Sequence, residues 1–297
     1  MITKQSIHIA VASNNGYAVL IAALFKSVIV NHKTSENLVF YILDDQISSI
    51  NKSKINNLTN QHDNVEINWI NVNEVLPAGM KFPIDNTAFP FTAFFRLFAP
   101  YVLSDHVTKL IYFDVDMIVR KDVSDLWNFD LENYTVAAVT DVCETVGCEW
   151  GGIPNYKQLG IPSGAKYFNS GLLLINPKLW RENNIPQKVF NAINDNSKYV
   201  NFPDQYGLNV VFAQNWKEIN PLWNWYANNP HPDPYNIHFL DIKPVYKSYR
   251  SDEDFKKEFF KYLDMTPFKG IKLRSDYERL LRKGFTKIKK KLLKLIS

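Results

Sequence analysis

Cysteine is scarce in this 297-residue chain, with Cys143 and Cys148 the only two. No second pair completes a four-ligand zinc site, so they read as free thiols in a reducing compartment. No uninterrupted apolar run reaches the ~18 residues of a membrane-spanning helix, and residues 1–13 lack the charged, apolar and small-residue order of a secretory signal. These absences point to a cytosolic body. There is no internal repeat and no low-complexity tract. Hydrophobic residues at 46% and aromatics at 14% exclude general disorder and suffice for one enzyme-sized domain.

Positive charge is lacking from most of the chain. The net +4 conceals ten Lys and Arg in residues 270–297 against Asp276 and Glu278, a tail of +8 on a body of −4. The body therefore has no charge-based claim to nucleic acid.

Residues 7–11 form a short β-branched run, followed by the turn-like Ser13-Asn14-Asn15-Gly16 and a helical pattern over 17–30. Residues 38–43 read as a second strand, 48–59 as a helix and 65–70 as a third strand. Alternation of this kind predicts an α/β fold with a mainly parallel central sheet flanked by helices. Ligands then sit at the carboxyl ends of strands, where Asn14 and Asp114 would both lie. Two stretches, 71–91 and 141–166, carry prolines or glycines without periodicity and are expected to be long loops walling a substrate cleft.

The most informative segment is Phe113-Asp114-Val115-Asp116-Met117-Ile118-Val119. In extended backbone, residues i and i+2 share a face, so two carboxylates at a strand end can converge on one hard divalent ion. Asp-x-Asp also occurs in solvated turns. Here apolar residues flank the pair, and burial would impose a desolvation cost that a cation offsets.

Taken together, Ala12-Ser13-Asn14-Asn15-Gly16-Tyr17, Phe95-Arg96-Leu97, Phe113-Asp114-Val115-Asp116, Tyr167-Phe168-Asn169-Ser170-Gly171 and Pro203-Asp204-Gln205 resemble glycosyltransferase family 8 over roughly residues 6–268. The resemblance implies a GT-A type nucleotide-diphospho-sugar transferase fold, a UDP-sugar donor, manganese (magnesium being possible) and transfer with retention of configuration. By the same resemblance, Asp114, Asp116 and His238 would be the metal ligands, and Ala12, Ser13, Asn14, Tyr17, Asp114, Val115 and Lys243 the nucleotide contacts. Two departures stand out. Asn14 occupies a position where an aspartate often reads uracil, and the segment from His238 to Lys243 is one residue shorter than usual, with Asp241 and Val245 in place of glycine and tryptophan.

Around the transferred hexose, Arg96, Asn169, Ser170, Asp204 and Gln205 match family positions, with Gln205 and Asp204 as the catalytic candidates; Asn169-Ser170-Gly171 precedes the apolar run 172–175 and is expected at the start of that strand. Retention normally suggests a carboxylate nucleophile. The residue matching Gln205 faces the reactive carbon, and an amide is a poor nucleophile, which favours front-face substitution; Asp204, Asp130 and Asp141 remain alternatives for covalent or base roles.

Leu273, Tyr277, Leu280, Leu281, Ile288, Leu292, Leu295 and Ile296 recur at steps of three and four, with Lys and Arg between them. Residues 270–297 thus read as a basic amphipathic helix appended to a catalytic domain over 1–269. It is expected to hold the enzyme on the cytoplasmic face of an anionic membrane, near a glycan or lipid-linked acceptor. A helix packed on the body is the competing reading. Every site position lies at or before Lys243, so the tail is expected to be dispensable for donor chemistry. The enzymatic rivals are a sugar-nucleotide pyrophosphorylase or an inverting transferase, and the non-enzymatic rival is a membrane- or nucleic-acid-binding protein acting through the tail. Ser13 to Tyr17 contains no Lys or Arg, against the basic phosphate loop of a pyrophosphorylase.

Overall fold

The computed structural model describes residues 5–60, 62–77, 79–231 and 233–296; residues 1–4 of the N-terminal stretch and the side chain of Ile296 in the tail stripe lie outside this description. The first half alternates as expected: β1 (Ser6–Asn14), α1 (Ala18–Asn31), β2 (Asn37–Asp45), α2 (Ser49–Asn56), β3 (Val65–Asn71) and the single turn α3 (Val72–Val75). A 3₁₀ helix over Phe91–Val102 leads to β4 (Leu110–Phe113), β5 (Met117–Val119) and α4 (Val123–Trp127). Then come β6 (Val136–Thr145), β7 (Lys166–Ile175), α5 (Pro177–Glu182), α6 (Ile185–Asp195), α7 (Pro203–Val211), β8 (Lys217–Glu218), β9 (Trp225–Tyr226), β10 (Asn236–His238), α8 (Glu253–Leu263) and α9 (Asp276–Ile296).

Seven strands form one sheet in the order β3-β2-β1-β4-β7-β6-β8. The pairings β3–β2, β2–β1, β1–β4 and β6–β8 are parallel, and β7 runs antiparallel to both β4 and β6. Side chains alternate across a strand, so each central strand feeds two cores. Ile7, Ile9, Val11, Ile111 and Phe113 pack with α1 on one face. Ala10, Leu110, Tyr112, Leu173 and Ile175 pack with Phe94, Trp180 and Phe190 on the other. Burial on both faces explains why these strands read as near-continuous apolar runs.

Two registers build the site. Pairing of Phe113 with Leu172 in the antiparallel β4–β7 ladder leaves Asn169, Ser170 and Gly171 just beyond the end of β4, where Asp114 N donates to Gly171 O at 2.7 Å. In a second sheet, β5-β10-β9, His238 pairs with Met117, and Phe239 N donates to Asp116 O at 2.8 Å. Antiparallel pairing thus carries a distant histidine to the Asp-x-Asp turn.

Four expectations are corrected. Asn169 and Ser170 lie inside β7, not at its start, because the strand begins at Lys166. Asp114-Val115-Asp116 forms the turn between β4 and β5, so the carboxylates converge through a turn instead of along a strand. β6 continues to Thr145, which shortens the second loop. Cys143 and Cys148 are not free thiols: β6 and the turn after it bring their Cα atoms to 5.7 Å, within bonding range, and the two form a disulfide. Among the described residues, no helix is long and apolar enough to cross a membrane.

Candidate active site

The strand ends open into a cleft of about 620 Å³ lined by Asn14, Tyr17, Arg96, Asp114, Asp116, Asn169, Ser170, Asp204, Gln205, His238 and Lys243. Phe89 and Pro90 from the first long loop, Val142 of β6, and Trp150 and Gly151 from the second loop form part of its wall. Ala12, Ser13 and Val115 do not line it; Ser13 is buried with its hydroxyl on Asn14 O at 3.2 Å, and Val115 is buried in the core. Asp130 also lies outside, its carboxylate accepting from Glu132 N at 2.8 Å, whereas Asp141 lies within.

Asp114, Asp116 and His238 each present a ligand atom within 4.8 Å of the others. Burial pushes the Asp114 pKa up to about 6 against the opposing pull of Arg96, whose Nη2 lies 2.8 Å from Asp114 Oδ1. Burial also works against the Asp116 carboxylate, but Lys243, in contact with Oδ2, and His238, 3.3 Å from Oδ1, hold its pKa well below the usual range. Arg96 is anchored by five acceptors: Asp114, Asp204 Oδ2 at 3.1 Å, Ser170 O at 2.6 Å, Ser170 Oγ at 3.2 Å and Ala93 O at 3.0 Å. Its buried guanidinium spends its donors on orienting carboxylates, a consequence of the desolvation that an unpaired cation would suffer there.

A relay of amides fixes how His238 presents itself. Asp141 Oδ2 can only accept, so the Asn169 amide group at 3.0 Å donates to it, leaving Asn169 Oδ1 to accept from Asn224 Nδ2 at 2.9 Å. Asn224 Oδ1 then faces His238 Nδ1 at 2.8 Å, and that nitrogen must carry the proton. Nε2 is thereby the nitrogen turned toward Asp116. Nε2 and the carboxylates of Asp114 and Asp116 are nitrogen and oxygen donors of the kind a divalent metal takes, so the donor set suits one. Gly171 makes room for this: a Cβ there would lie 2.6 Å from His238 Cε1 and 2.9 Å from Asn169 Oδ1.

Gln205 is held from several sides. Its Oε1 accepts from Asn169 Nδ2 and Ser170 N, both at 3.1 Å, and its Nε2 faces Asp141 Oδ2 at 3.3 Å. Ser170 Oγ donates to Asp204 Oδ2 at 3.0 Å. Tyr226 adds a third donor to Asp141 Oδ2 at 3.0 Å.

With this arrangement described, sequence comparison becomes specific. The profile of glycosyl transferase family 8 matches residues 8–262. The chain belongs to glycosyltransferase family 8. General stress protein A of Bacillus subtilis is 26% identical over 288 residues, covering 90% of this chain and 96% of that one. A putative glycosyltransferase of Haemophilus influenzae is 33% identical over 228 residues, 75% of this chain and 64% of its own length. The lipopolysaccharide 1,2-glucosyltransferase of Escherichia coli is 24% identical over 212 residues, 70% of this chain and 59% of that one. A crystal structure of an active-site mutant of LgtC superposes with a TM-score of 0.71 at 26% identity, covering 88% of this chain and 96% of that one.

This family 8 glycosyltransferase therefore has the GT-A architecture anticipated from its motifs and takes a nucleotide-sugar donor and an acceptor. Sequence reasoning missed Asn224 and Tyr226, which sit on a 3₁₀ turn and a two-residue strand without any motif to mark them. It also missed α9. Arg279, Arg282, Lys283 and Thr286 line the cleft, so the tail does not stand clear of the site as expected.

Proposed function

We propose that the protein is a retaining hexosyltransferase that moves galactose or glucose from a UDP-sugar to a glycan or lipid-linked acceptor in bacterial surface polysaccharide or lipopolysaccharide synthesis. The observation carrying this reading is His238 Nε2 facing the Asp114–Asp116 pair, with the three ligand atoms within 4.8 Å of one another, inside a cleft with polar groups for a sugar. Asp114, Asp116 and His238 would hold manganese, or magnesium, which when bound neutralises charge on the departing diphosphate. Lys243 adds a point charge in the same cleft. Tyr17 offers a ring face to uracil, while Asn14, its Oδ1 engaged by Gly16 N at 2.9 Å, braces the nucleotide loop.

Arg96 orients Asp114 and Asp204, and Asn169, Ser170 and Asp204 present hydrogen-bonding groups to hexose hydroxyls. Gln205 stabilises positive charge at the anomeric carbon, since an amide oxygen is a dipole end and a weak nucleophile. The anomeric carbon–phosphate oxygen bond breaks as the acceptor oxygen bonds to that carbon from the same face. The acceptor's proton passes to the departing phosphate oxygen, so charge and atoms balance. Asp204 and Asp141 line the cleft as the carboxylates available for a covalent or base-assisted route.

The membrane part of the proposal draws on α9, whose Leu280, Phe285, Ile288, Leu292 and Leu295 are exposed in a row. Such a stripe beside exposed lysines suits peripheral attachment to an anionic, cytoplasmic-face membrane. The Cys143–Cys148 disulfide is not the free-thiol pair expected of a reducing compartment.

A panel of UDP-sugars incubated with and without manganese tests the reading. Manganese-dependent release of UDP from UDP-galactose or UDP-glucose, abolished in Asp116→Ala with an unchanged circular dichroism spectrum, is the expected outcome. Near-native turnover in that variant would sink it.

A further inference from the structure

α9 straps the cleft. Just before it, Arg274 donates to the carbonyl of Gly16 in the loop after β1. Near its other end, Lys290 meets Asp85 at 2.7 Å, with side chains only 4% and 0% exposed, and Lys294 reaches Asn86 at 2.6 Å. The helix is therefore anchored at both walls, on the β1 loop and on the loop following β3. Removing one partner of a buried pair such as Lys290–Asp85 leaves the other charge desolvated and unpaired, so the strap is a defined position.

Between the anchors the helix turns its basic side inward, and Arg279, Arg282, Lys283 and Thr286 line the cleft. The Arg282 guanidinium lies so close to the β1 loop that a Cβ on Gly16 would sit 1.8 Å from Nη1. Its only carboxylate neighbour among the described residues, Glu278, is 3.9 Å away. Tyr17 lies near enough for Arg282 to be among the charges that counter the burial-raised pKa of its hydroxyl.

Charge makes the arrangement informative. Asp114, Asp116, Asp141, Asp204 and Asp241 line the cleft, and among the described residues of the body Arg96 and Lys243 are the Lys and Arg that answer them. Both cations are already engaged, Arg96 by Asp114 and Asp204, Lys243 by Asp116. A nucleoside diphosphate sugar adds two further negative charges, and beyond the metal and Lys243 no body cation lining the cleft among the described residues is left to meet them.

We propose that α9 is part of the donor site and that Arg282, assisted by Lys283, binds the diphosphate of the sugar nucleotide beside the Gly16 turn. The inference rests on the donor reading above and deepens it by assigning residues beyond the family match, which ends at residue 262. It also accounts for the orientation of the helix, with its cations toward the cleft and its apolar stripe outward.

Titrations of full-length protein with UDP and with uridine, in manganese, test this. Arg282→Gln is expected to weaken UDP binding about tenfold and leave uridine binding unchanged, with Arg282→Lys restoring part of the loss. Equal UDP affinity in wild type and in the double variant Arg282→Gln/Lys283→Gln would overturn the assignment. An equal loss for uridine and UDP would also overturn it, marking Arg282 as a prop for the Gly16 loop. Failure of the wild type itself to bind UDP would instead remove the donor reading, and this inference with it.

Discussion

Asn224 Oδ1 lies 2.8 Å from Nδ1 of His238, and this contact decides which ring nitrogen is free to bind a metal. Asn224→Leu removes the acceptor while approximating the volume. Manganese affinity, read by calorimetry on the folded protein, should fall about 10- to 100-fold, the usual effect of losing a partner behind a metal-bound histidine. Unchanged affinity would show that the ring is oriented by packing alone.

Gln205→Ala should slow turnover of bound donor with little change in UDP affinity, because its proposed work is confined to charge that develops at the transferred carbon. Since Gln205 Oε1 also braces Asn169 Nδ2 and Ser170 N, part of the loss will come from loosening these groups. A collapse of UDP binding with preserved turnover would contradict the role.

Asp122, which caps α4, offers a pH test away from the cleft. Partial burial raises its pKa, but hydrogen bonds from Ser124 N at 2.9 Å and Lys33 N at 2.5 Å, with His32 Nδ1 at 3.0 Å, outweigh it and hold the value at about 2. A carboxylate depressed below its unfolded value of about 3.9 stabilises the fold fully above that value, and the contribution disappears as pH falls through about 2. Asp122→Asn should therefore be less stable than wild type by about 1 kcal/mol at pH 7, with denaturant midpoints converging toward pH 2. A gap independent of pH would contradict it.

The outward stripe of α9 can be tested without disturbing the cations in the cleft. Phe285 and Leu292 are 68% and 58% exposed, so Phe285→Glu/Leu292→Glu should fold normally and keep UDP binding. Cosedimentation with anionic vesicles should be lost. In the wild type the electrostatic part should weaken with salt as the Debye length shortens to about 8 Å at physiological ionic strength. Equal vesicle binding by both forms would rule out the stripe as an anchor.

Read from sequence, the strands around residues 7–11, 38–43 and 65–70 and the helices between them match what the structure contains, because periodic burial writes itself locally into residue type. The Asp114–Asp116 pair and the family membership were legible for a related reason: an acidic pair inside an apolar run is chemically conspicuous, and several spaced motifs together are specific. The convergence of His238 on that pair came only through family resemblance.

Tertiary structure decided what local pattern does not encode. The antiparallel β5–β10 register sets His238 beside Asp116, and the chain from Asp141 through Asn169 and Asn224 sets its tautomer, with contacts that span many residues and leave no spacing to read. The cysteines pair because β6 and its turn bring them together, which two thiols in a sequence cannot declare. The tail's periodicity predicted an amphipathic helix, yet which side faces the protein was settled by charge: an acidic cleft attracts Arg282 and Lys283, and Asp85 captures Lys290, leaving the apolar stripe outside.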